Sequence, residues 1–211
     1  MAEGAANSGL LPEGLRDALF PEARHADLIR RRLLDRFAAY GYEQVMPPLI
    51  EFESGLVGRL EAEKIRDMFR LLDSESQQMM VLRSDITGQV ARIAATRLGH
   101  MPRPLRLSYA GAALRVKGSQ LRPERQFGQA GVELIGPHNL NAALEVISLS
   151  HESVLKLGLE NTSIDLVFPS FVPKLIAELG LGTAQGGALL AALDAKAVSY
   201  THLRAHETYR D

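Results

Sequence analysis

The stretch that decides the fold, residues 104–136, reads PLRLSYAGAALRVKGSQLRPERQFGQAGVELIG. Two apolar runs flank a basic loop that contains glycine, serine and proline, so an antiparallel hairpin is expected. Arg115 closes the first run and Arg125 opens the second. Six of the 24 basic residues lie from Arg103 to Arg125, against a single acid, Glu124. Because guanidinium offers a fixed fork of donors, the hairpin is predicted to hold a small anionic ligand.

Helical and hairpin patterns alternate along the rest of the chain. Pro21 and Glu22 suit a first helical turn, and Gly41 suits the end of the same helix. Ser84 or Asp85 can cap a second helix. The expected elements are a helix over 21–40, a hairpin of 68–72 and 79–82, a helix that follows residue 85, a helix over 140–157, a strand over 163–168, and helices over 171–179 and 184–196. No regular βαβ rhythm is present, so the predicted fold class is α+β, with a mainly antiparallel sheet flanked by helices.

The composition is that of an ordinary soluble globular protein, with 46% hydrophobic and 23% charged residues. A formal net charge of -1 gives no overall electrostatic case for binding nucleic acid or an acidic membrane. The chain has no cysteine, which excludes disulfides, thiolate metal sites and a cysteine nucleophile. The first residues lack the basic and apolar regions of a secretory signal, and no apolar run approaches a membrane span. A cytoplasmic protein is expected.

The last stretch, VSYTHLRAHETYRD at 198–211, differs in character from the rest. His202 and His206 have the spacing of a metal-binding pair on a helix. The peptide also resembles the translation of sequencing-adapter DNA, and this second interpretation is preferred. Residues 198–211 are therefore expected to be foreign to the protein, and no metal site is predicted.

Three segments resemble signature motifs of the class II aminoacyl-tRNA synthetases, and of the histidyl enzymes among them. GYEQVMPP at 41–48 is similar to the first motif, which forms a helix and strand at the dimer interface. LRSDIT at 82–87 is similar to the Leu-Arg-Pro-Glu-x-Thr segment of the histidyl enzymes. RLSYAGAALR at 106–115, followed by RQFGQ at 125–129, resembles the second motif.

The resemblance covers residues 10–197. It implies a class II synthetase-like α+β domain over 15–197 that is incomplete at its C-terminal end. Residues 1–14 are expected to form a flexible lead-in. The resemblance to the class II synthetases also implies self-association through the first motif.

Two positions depart from the synthetase pattern. Lys117 stands where the second motif carries an acid in the ATP site, and Gly131 stands where a Gln-Cys-Asp-x-Asp segment carries another. Segments 81–94 and 121–127 are more similar to the regulatory subunits of ATP phosphoribosyltransferase, which are synthetase-like proteins of histidine biosynthesis. This resemblance implies a non-catalytic subunit that assembles with the short-form catalytic subunit, is required for its activity and takes part in feedback inhibition by histidine. Neither catalytic residues nor a cofactor are then expected.

Two other functions remain open. One is an active histidyl-tRNA synthetase, in which ATP activates histidine before transfer to tRNA and Arg115 stabilises charge at the α-phosphate. The other is a stand-alone amino-acid binding module or a synthetase paralogue of another pathway.

The resemblance carries a histidine-binding pocket onto five residues: Asp85, Thr87, Arg115, Gln129 and Glu133. The two carboxylates could accept from the ammonium or ring N–H of histidine, Arg115 could hold its carboxylate, and Gln129 could bond the ammonium or ring. Simpler interpretations also exist. Asp85 and Thr87 could cap a helix, Gln129 and Glu133 could be solvated strand residues, and Arg115 could be a surface cation.

A second group consists of Lys117, Arg122, Glu124 and Arg125. These residues are candidates for vestigial nucleotide contacts or partner contacts, and a solvated charged loop is the alternative. Tyr109 is interpreted as a core or flanking apolar residue.

Overall fold

The structure is a computed structural model that describes residues 11–55, 65, 67–119, 122–168, 170–187, 189, 190 and 193. The chain divides into two compact units, Met1–Thr162 and Ser163–Asp211. All the motifs quoted above lie in the first unit. The foreign tail expected at 198–211 and most of the lead-in expected at 1–14 fall outside the described residues. No helix among the described residues is both long enough and apolar enough to cross a membrane.

The described part of the first unit combines helices with two three-stranded sheets. The helices are α1 (Glu22–Ala39), α2 (Thr87–Thr96) and α3 (Leu140–Lys156), with a 3-10 turn at Glu53–Gly55. The strands are β1 (Glu43–Gln44), β2 (Ile50–Phe52), β3 (Arg70–Leu72), β4 (Met79–Leu82), β5 (Leu105–Leu114) and β6 (Gln126–Ile135). The α+β class predicted from the sequence is confirmed.

The basic loop joins the two longest strands, as the sequence predicts. β5 and β6 pair antiparallel over ten residues, from Leu105 opposite Ile135 to Leu114 opposite Gln126. β1 lies parallel to β5 on its other side. The predicted smaller hairpin is also present, because β3 and β4 pair antiparallel with Leu72 opposite Met79, and β2 extends that sheet.

Helices cover both faces of the β5–β6 hairpin. On one face, buried residues of α2 and its preceding loop pack against β5, in a cluster of Ile86, Val90, Ala94, Leu105, Leu107 and Tyr109. On the other face, α1 and α3 pack against β6, in a cluster of Phe37, Tyr42 and Leu149 with Ala130, Val132 and Leu134. Since side chains alternate along a strand, odd-numbered residues of β5 and β6 face α2, and even-numbered residues face α1 and α3.

Local signals set the helix ends. Gly41 and Gly158 follow α1 and α3 with φ of +79° and +92°, a region that favours glycine. Asn139 caps α3 by accepting a hydrogen bond from the Ala142 backbone N–H at 2.9 Å. The predicted helices over 21–40 and 140–157 are confirmed.

In the second unit, α4 spans Phe171–Glu178, and the predicted helix over 171–179 is confirmed. Residues 183–187, 189, 190 and 193 are helical, so the helix begins one residue before the predicted range 184–196. The predicted strand over 163–168 is wrong, because these residues form no regular secondary structure. Alternating apolar residues favour a strand, but a strand also needs a hydrogen-bonded neighbour, and no sheet pairing among the described residues includes this segment.

Candidate functional site

A group of polar side chains lies where α2 begins, above β6. Asp85 immediately precedes this helix, and its two oxygens have different partners. Oδ1 accepts from the backbone N–H of Thr87 at 2.6 Å, and Oδ2 accepts from the Gln129 amide at 2.9 Å. The Gln129 carbonyl oxygen in turn accepts from the backbone N–H of Ile86 at 3.0 Å. These bonds fix the start of α2 against β6, so Asp85 has a local helix-start role and also faces the sheet.

Tyr109 connects this helix start to a second carboxylate. Its hydroxyl oxygen lies 3.1 Å from the Thr87 hydroxyl, and it donates to Glu133 Oε1 at 3.3 Å. The ring is buried, with 5% of the residue exposed, whereas Glu133 is only partly buried. We call the resulting group the carboxylate cluster; its members are Asp85, Thr87, Tyr109, Gln129 and Glu133. Four of the five predicted pocket residues therefore lie together.

The cluster contains two carboxylates, and its described members include no cation. Burial raises the pKa of Glu133, and the nearby charge of Asp85 adds to this rise, while hydrogen bonds from Thr87 and Tyr109 oppose it. Burial also raises the pKa of Tyr109. Among the described residues, no lysine, arginine or histidine forms a salt bridge with Asp85 or Glu133. The site therefore favours a ligand that brings its own positive charge or N–H donors.

Gly131 provides the space that Tyr109 occupies. The two residues are directly opposite each other in the β5–β6 register. A Cβ atom at position 131 would lie 2.5 Å from the Tyr109 hydroxyl oxygen and 2.7 Å from Cζ of its ring. An acid at this position, as in the synthetase pattern, would require the Tyr109 side chain to shift.

Arg83 holds the loop that leads into the cluster. Its side chain donates to the Ala112 carbonyl of β5 at 2.7 Å and to the Pro47 carbonyl at 2.9 Å. Gln89 of α2 donates to the next carbonyl, that of Pro48, at 2.8 Å. Burial lowers the pKa of Arg83. The prolines of the first motif, the start of α2 and β5 are therefore tied together beside the cluster.

Arg115 does not lie with the other four predicted pocket residues. It follows β5, and its backbone N–H donates to the Arg125 carbonyl at 2.8 Å. Its guanidinium stacks 4.4 Å from the centre of the Phe127 ring. Arg125 and Glu133 are eight residues apart along the same chain segment, which corresponds to roughly 26 Å of strand. By the same measure Arg125 lies roughly 13 Å from Gln129, so Arg115, which pairs opposite Arg125, lies beyond the Gln129 end of the cluster.

Arg125 contacts the end of the lead-in. Its guanidinium donates to the Glu13 carbonyl at 3.0 Å, its backbone N–H donates to the Gly14 carbonyl at 2.7 Å, and it stacks 4.6 Å from the Phe69 ring centre. Gly14 has φ of +75°, and a Cβ there would lie 2.7 Å from Arg125 Cγ. The other members of the second predicted group, Lys117, Arg122 and Glu124, are exposed. Within the described residues, no three histidine or acidic side chains are grouped as metal ligands.

Sequence reasoning missed the role of Tyr109 in the cluster. The available signal was the hairpin itself, because its register places this tyrosine opposite a glycine and between two predicted pocket residues. A tyrosine that is buried next to a glycine usually needs a partner for its hydroxyl.

Comparison with known proteins places the chain in a family. A family model described as histidyl-tRNA synthetase matches residues 14–209. The ATP phosphoribosyltransferase regulatory subunit of Paramagnetospirillum magneticum is 52% identical over 192 residues, which cover 91% of this chain and 51% of that protein. The protein of the same name from Rhodospirillum centenum is 52% identical over 185 residues, covering 88% and 48%. The chain thus spans about half the length of the curated relatives it matches.

Solved structures agree with this assignment. A Bacillus halodurans protein described as an ATP phosphoribosyltransferase regulatory subunit/histidyl-tRNA synthetase superposes with a TM-score of 0.78 at 26% identity, covering 97% of this chain and 52% of that one. Apo histidyl-tRNA synthetase from S. aureus gives a TM-score of 0.59 at 26% identity, covering 72% and 35%. The chain belongs to the histidyl-tRNA synthetase family, and its curated relatives at 52% identity are named ATP phosphoribosyltransferase regulatory subunits.

Proposed function

We propose that this protein is a non-catalytic regulatory subunit that the short-form ATP phosphoribosyltransferase catalytic subunit requires for activity. The reaction is the first step of histidine biosynthesis, so a cytoplasmic setting fits, and histidine would be the feedback signal. One observation carries the ligand assignment: Asp85 and Glu133 belong to one hydrogen-bonded group at the start of α2, and no cation among the described residues forms a salt bridge with either. The names of the relatives support the regulatory role.

Free histidine matches the chemistry of the carboxylate cluster. Its ammonium and its ring N–H are donors, and the cluster offers carboxylate and amide oxygens from Asp85, Glu133 and Gln129. Two carboxylates that can each accept from a charged or N–H donor also suit a ligand with two separated donor groups. An acidic ligand would meet like charge at this end of the hairpin.

The carboxylate of histidine was assigned to Arg115 from the sequence, and this remains a prediction. We call the side of the β5–β6 hairpin that packs against α2 the α2 face, and the side that packs against α1 and α3 the α3 face. A ligand held by the cluster reaches Arg115 only if the guanidinium leaves Phe127 and moves along the α2 face toward Gln129. A cation–π contact at an exposed site contributes about 0.5–1 kcal/mol, so a carboxylate partner could replace it.

Regulation needs a coupling between the histidine pocket and the partner's active site. Such couplings are typically about 1–3 kcal/mol, and histidine must favour one state of the assembly over another. Self-association through the first motif fits this requirement, because Arg83 and Gln89 tie the Pro47–Pro48 carbonyls of that motif to the loop and helix beside the pocket.

The family match also favours a second candidate, an active histidyl-tRNA synthetase. The same cluster would then bind histidine for activation by ATP. Lys117 argues against this candidate, because it places a cation where the synthetase pattern has an acid.

Reconstitution tests the proposal. The short catalytic subunit is assayed for phosphoribosyl transfer alone and after addition of this protein, with histidine titrated into the complex. We expect activity only in the complex, and inhibition by histidine that is lost in Glu133→Gln. Histidine-dependent ATP–pyrophosphate exchange by this protein alone would establish the synthetase instead.

A further inference from the structure

Three kinds of contact fix the position of Tyr109 in the carboxylate cluster. Its ring packs in the buried cluster with Ile86 and Val90. The backbone of Gly131 lies directly beneath the ring, at a distance that leaves no room for a Cβ atom. Its hydroxyl lies between Thr87 of α2 and Glu133 of β6.

The direction of the hydrogen bonds follows from the donors that are present. A tyrosine hydroxyl has one proton, and an ionised glutamate can only accept, so Tyr109 donates to Glu133. The Thr87 hydroxyl lies 3.1 Å from that of Tyr109, and its one proton can go either to Tyr109 or to Glu133, since a Thr87 hydrogen bond also lowers the pKa of Glu133. In both cases hydrogen bonds join Thr87, Tyr109 and Glu133 and connect the start of α2 to β6.

We propose that Tyr109 is a positioning residue for the ligand site. Its ring packs on Gly131 and its hydroxyl links Thr87, at the start of α2, to Glu133. These contacts hold the Glu133 carboxylate in the orientation that binds the ligand. This inference rests on the proposed function, in which histidine occupies the cluster. It assigns a role to a residue that need not touch the ligand.

The electrostatic surroundings of Glu133 allow a specific test. Asp85 is the charged group and Tyr109 the titratable group that face it, while α1 and α3 pack on the opposite face of the hairpin. The Tyr109 hydrogen bond favours the ionised form of Glu133 and lowers its pKa. Removing the hydroxyl should therefore raise the pKa of Glu133. As the pH is lowered, histidine binding by the variant should then begin to weaken at a higher pH than binding by the natural protein.

Tyr109→Phe removes only the hydroxyl, and Tyr42→Phe is the matched control. Tyr42 is also buried, and its hydroxyl donates to Glu145 at 2.9 Å on the opposite face. Calorimetry with histidine across pH should show affinity reduced about tenfold in Tyr109→Phe, with the acidic limb of the pH profile moved upward. Tyr42→Phe should leave both unchanged. The free histidine ligand titrates in the same way in every experiment. Its contribution therefore cancels when the affinity of each variant is divided by that of the natural protein at the same pH.

Thr87 provides a rescue test. Thr87→Val should reproduce the effect of Tyr109→Phe, and Thr87→Ser should restore the affinity, because serine keeps the donor. A purely structural role for Tyr109 predicts no shift of the pH profile in Tyr109→Phe.

A ligand-free measurement separates this inference from the proposed function. NMR titration of the Glu133 carboxyl carbon should give a higher pKa in Tyr109→Phe than in the natural protein. If the natural protein binds no histidine, the proposed function fails while the NMR shift still tests the hydrogen bond. If histidine binds with equal affinity and pH profile in Tyr109→Phe and the natural protein, the inference is overturned and the proposed function stands.

Discussion

Two glutamates on opposite faces of the β5–β6 hairpin meet opposite surroundings. Glu145 of α3 accepts from Arg106 through Nε at 2.7 Å and Nη2 at 2.8 Å, and from the Tyr42 hydroxyl at 2.9 Å. Glu133 also accepts from a tyrosine, but no described cation pairs with it. Because both have a tyrosine partner, the difference is the arginine. One face uses its carboxylate to join the helices to the sheet, and the other leaves its carboxylate available for a ligand.

The pKa directions follow this difference. The hydrogen bond from Arg106 is the main cause that lowers the pKa of Glu145, whereas burial is the main cause that raises the pKa of Glu133. Glu145 therefore contributes stability above its unfolded pKa, and this is lost as the pH falls through its folded pKa. For Glu133 the sign is reversed: stability is fully present below the unfolded pKa and is lost as the pH rises through the folded pKa.

The largest expected effect is on ligand binding by the α2 face. Glu133→Gln should weaken histidine binding by at least 2 kcal/mol, that is, roughly 30-fold, because a partly buried charge pair loses one partner. Glu145→Gln is the matched control, and it should bind histidine with unchanged affinity in the same calorimetric titration. Equal losses in both variants would remove the distinction between the two faces.

The next effect is on the stability of the α3 face. Glu145→Gln should lower the free energy of unfolding by about 1–2 kcal/mol at neutral pH, since Arg106 loses a charge-assisted partner in a partly screened setting. Urea unfolding measures this difference. It should shrink as the pH falls through the folded pKa of Glu145, and a difference that grows with acidity would contradict the assigned sign.

A comparable loss of stability is expected on the α2 face, at Gly131, on which the Tyr109 ring packs. Gly131→Ala should destabilise by about 1–2 kcal/mol, because its Cβ collides with the tyrosine ring. Gly128→Ala is the control on the same strand, where an added Cβ would have no atom within 4 Å. Thermal unfolding should separate the two variants, and similar melting temperatures would mean that the ring moves aside freely.

The smallest expected effect is on the free energy of unfolding when the charge of Glu133 is removed. Glu133→Gln should be as stable as the natural protein or more stable by up to about 1 kcal/mol at neutral pH, because it removes a partly desolvated charge that solvent still screens. The difference should vanish at acidic pH, where Glu133 is protonated. Urea unfolding at the two pH values checks this, and a clear destabilisation at neutral pH would indicate a structural role instead.

Much of this arrangement could be predicted from the sequence. The two apolar runs, one closed by Arg115 and the other opened by Arg125, predict the hairpin, and the alternation of side chains along a strand places Gln129 and Glu133 on one face. The segment at 82–87 predicts that Asp85 and Thr87 begin a helix. Local chemistry and alternation are sufficient for these features.

Other features depend on contacts that no local pattern reveals. The role of Tyr109 requires a threonine from a different element and a glycine on the opposite strand. The side-chain position of Arg115 depends on stacking with Phe127, which competes with the predicted ligand contact. The segment at 163–168 has the alternation of a strand but no paired neighbour among the described residues.

The most direct test of the account is a carboxyl-carbon NMR titration of Glu133 and Glu145 in the same protein, with and without histidine. We predict that the pKa of Glu133 lies above the ordinary glutamate value and that of Glu145 below it, and that histidine lowers the pKa of Glu133 alone. A Glu133 pKa at or below that of Glu145, or one that histidine does not change, would contradict the claim that the α2 face keeps this carboxylate for a ligand.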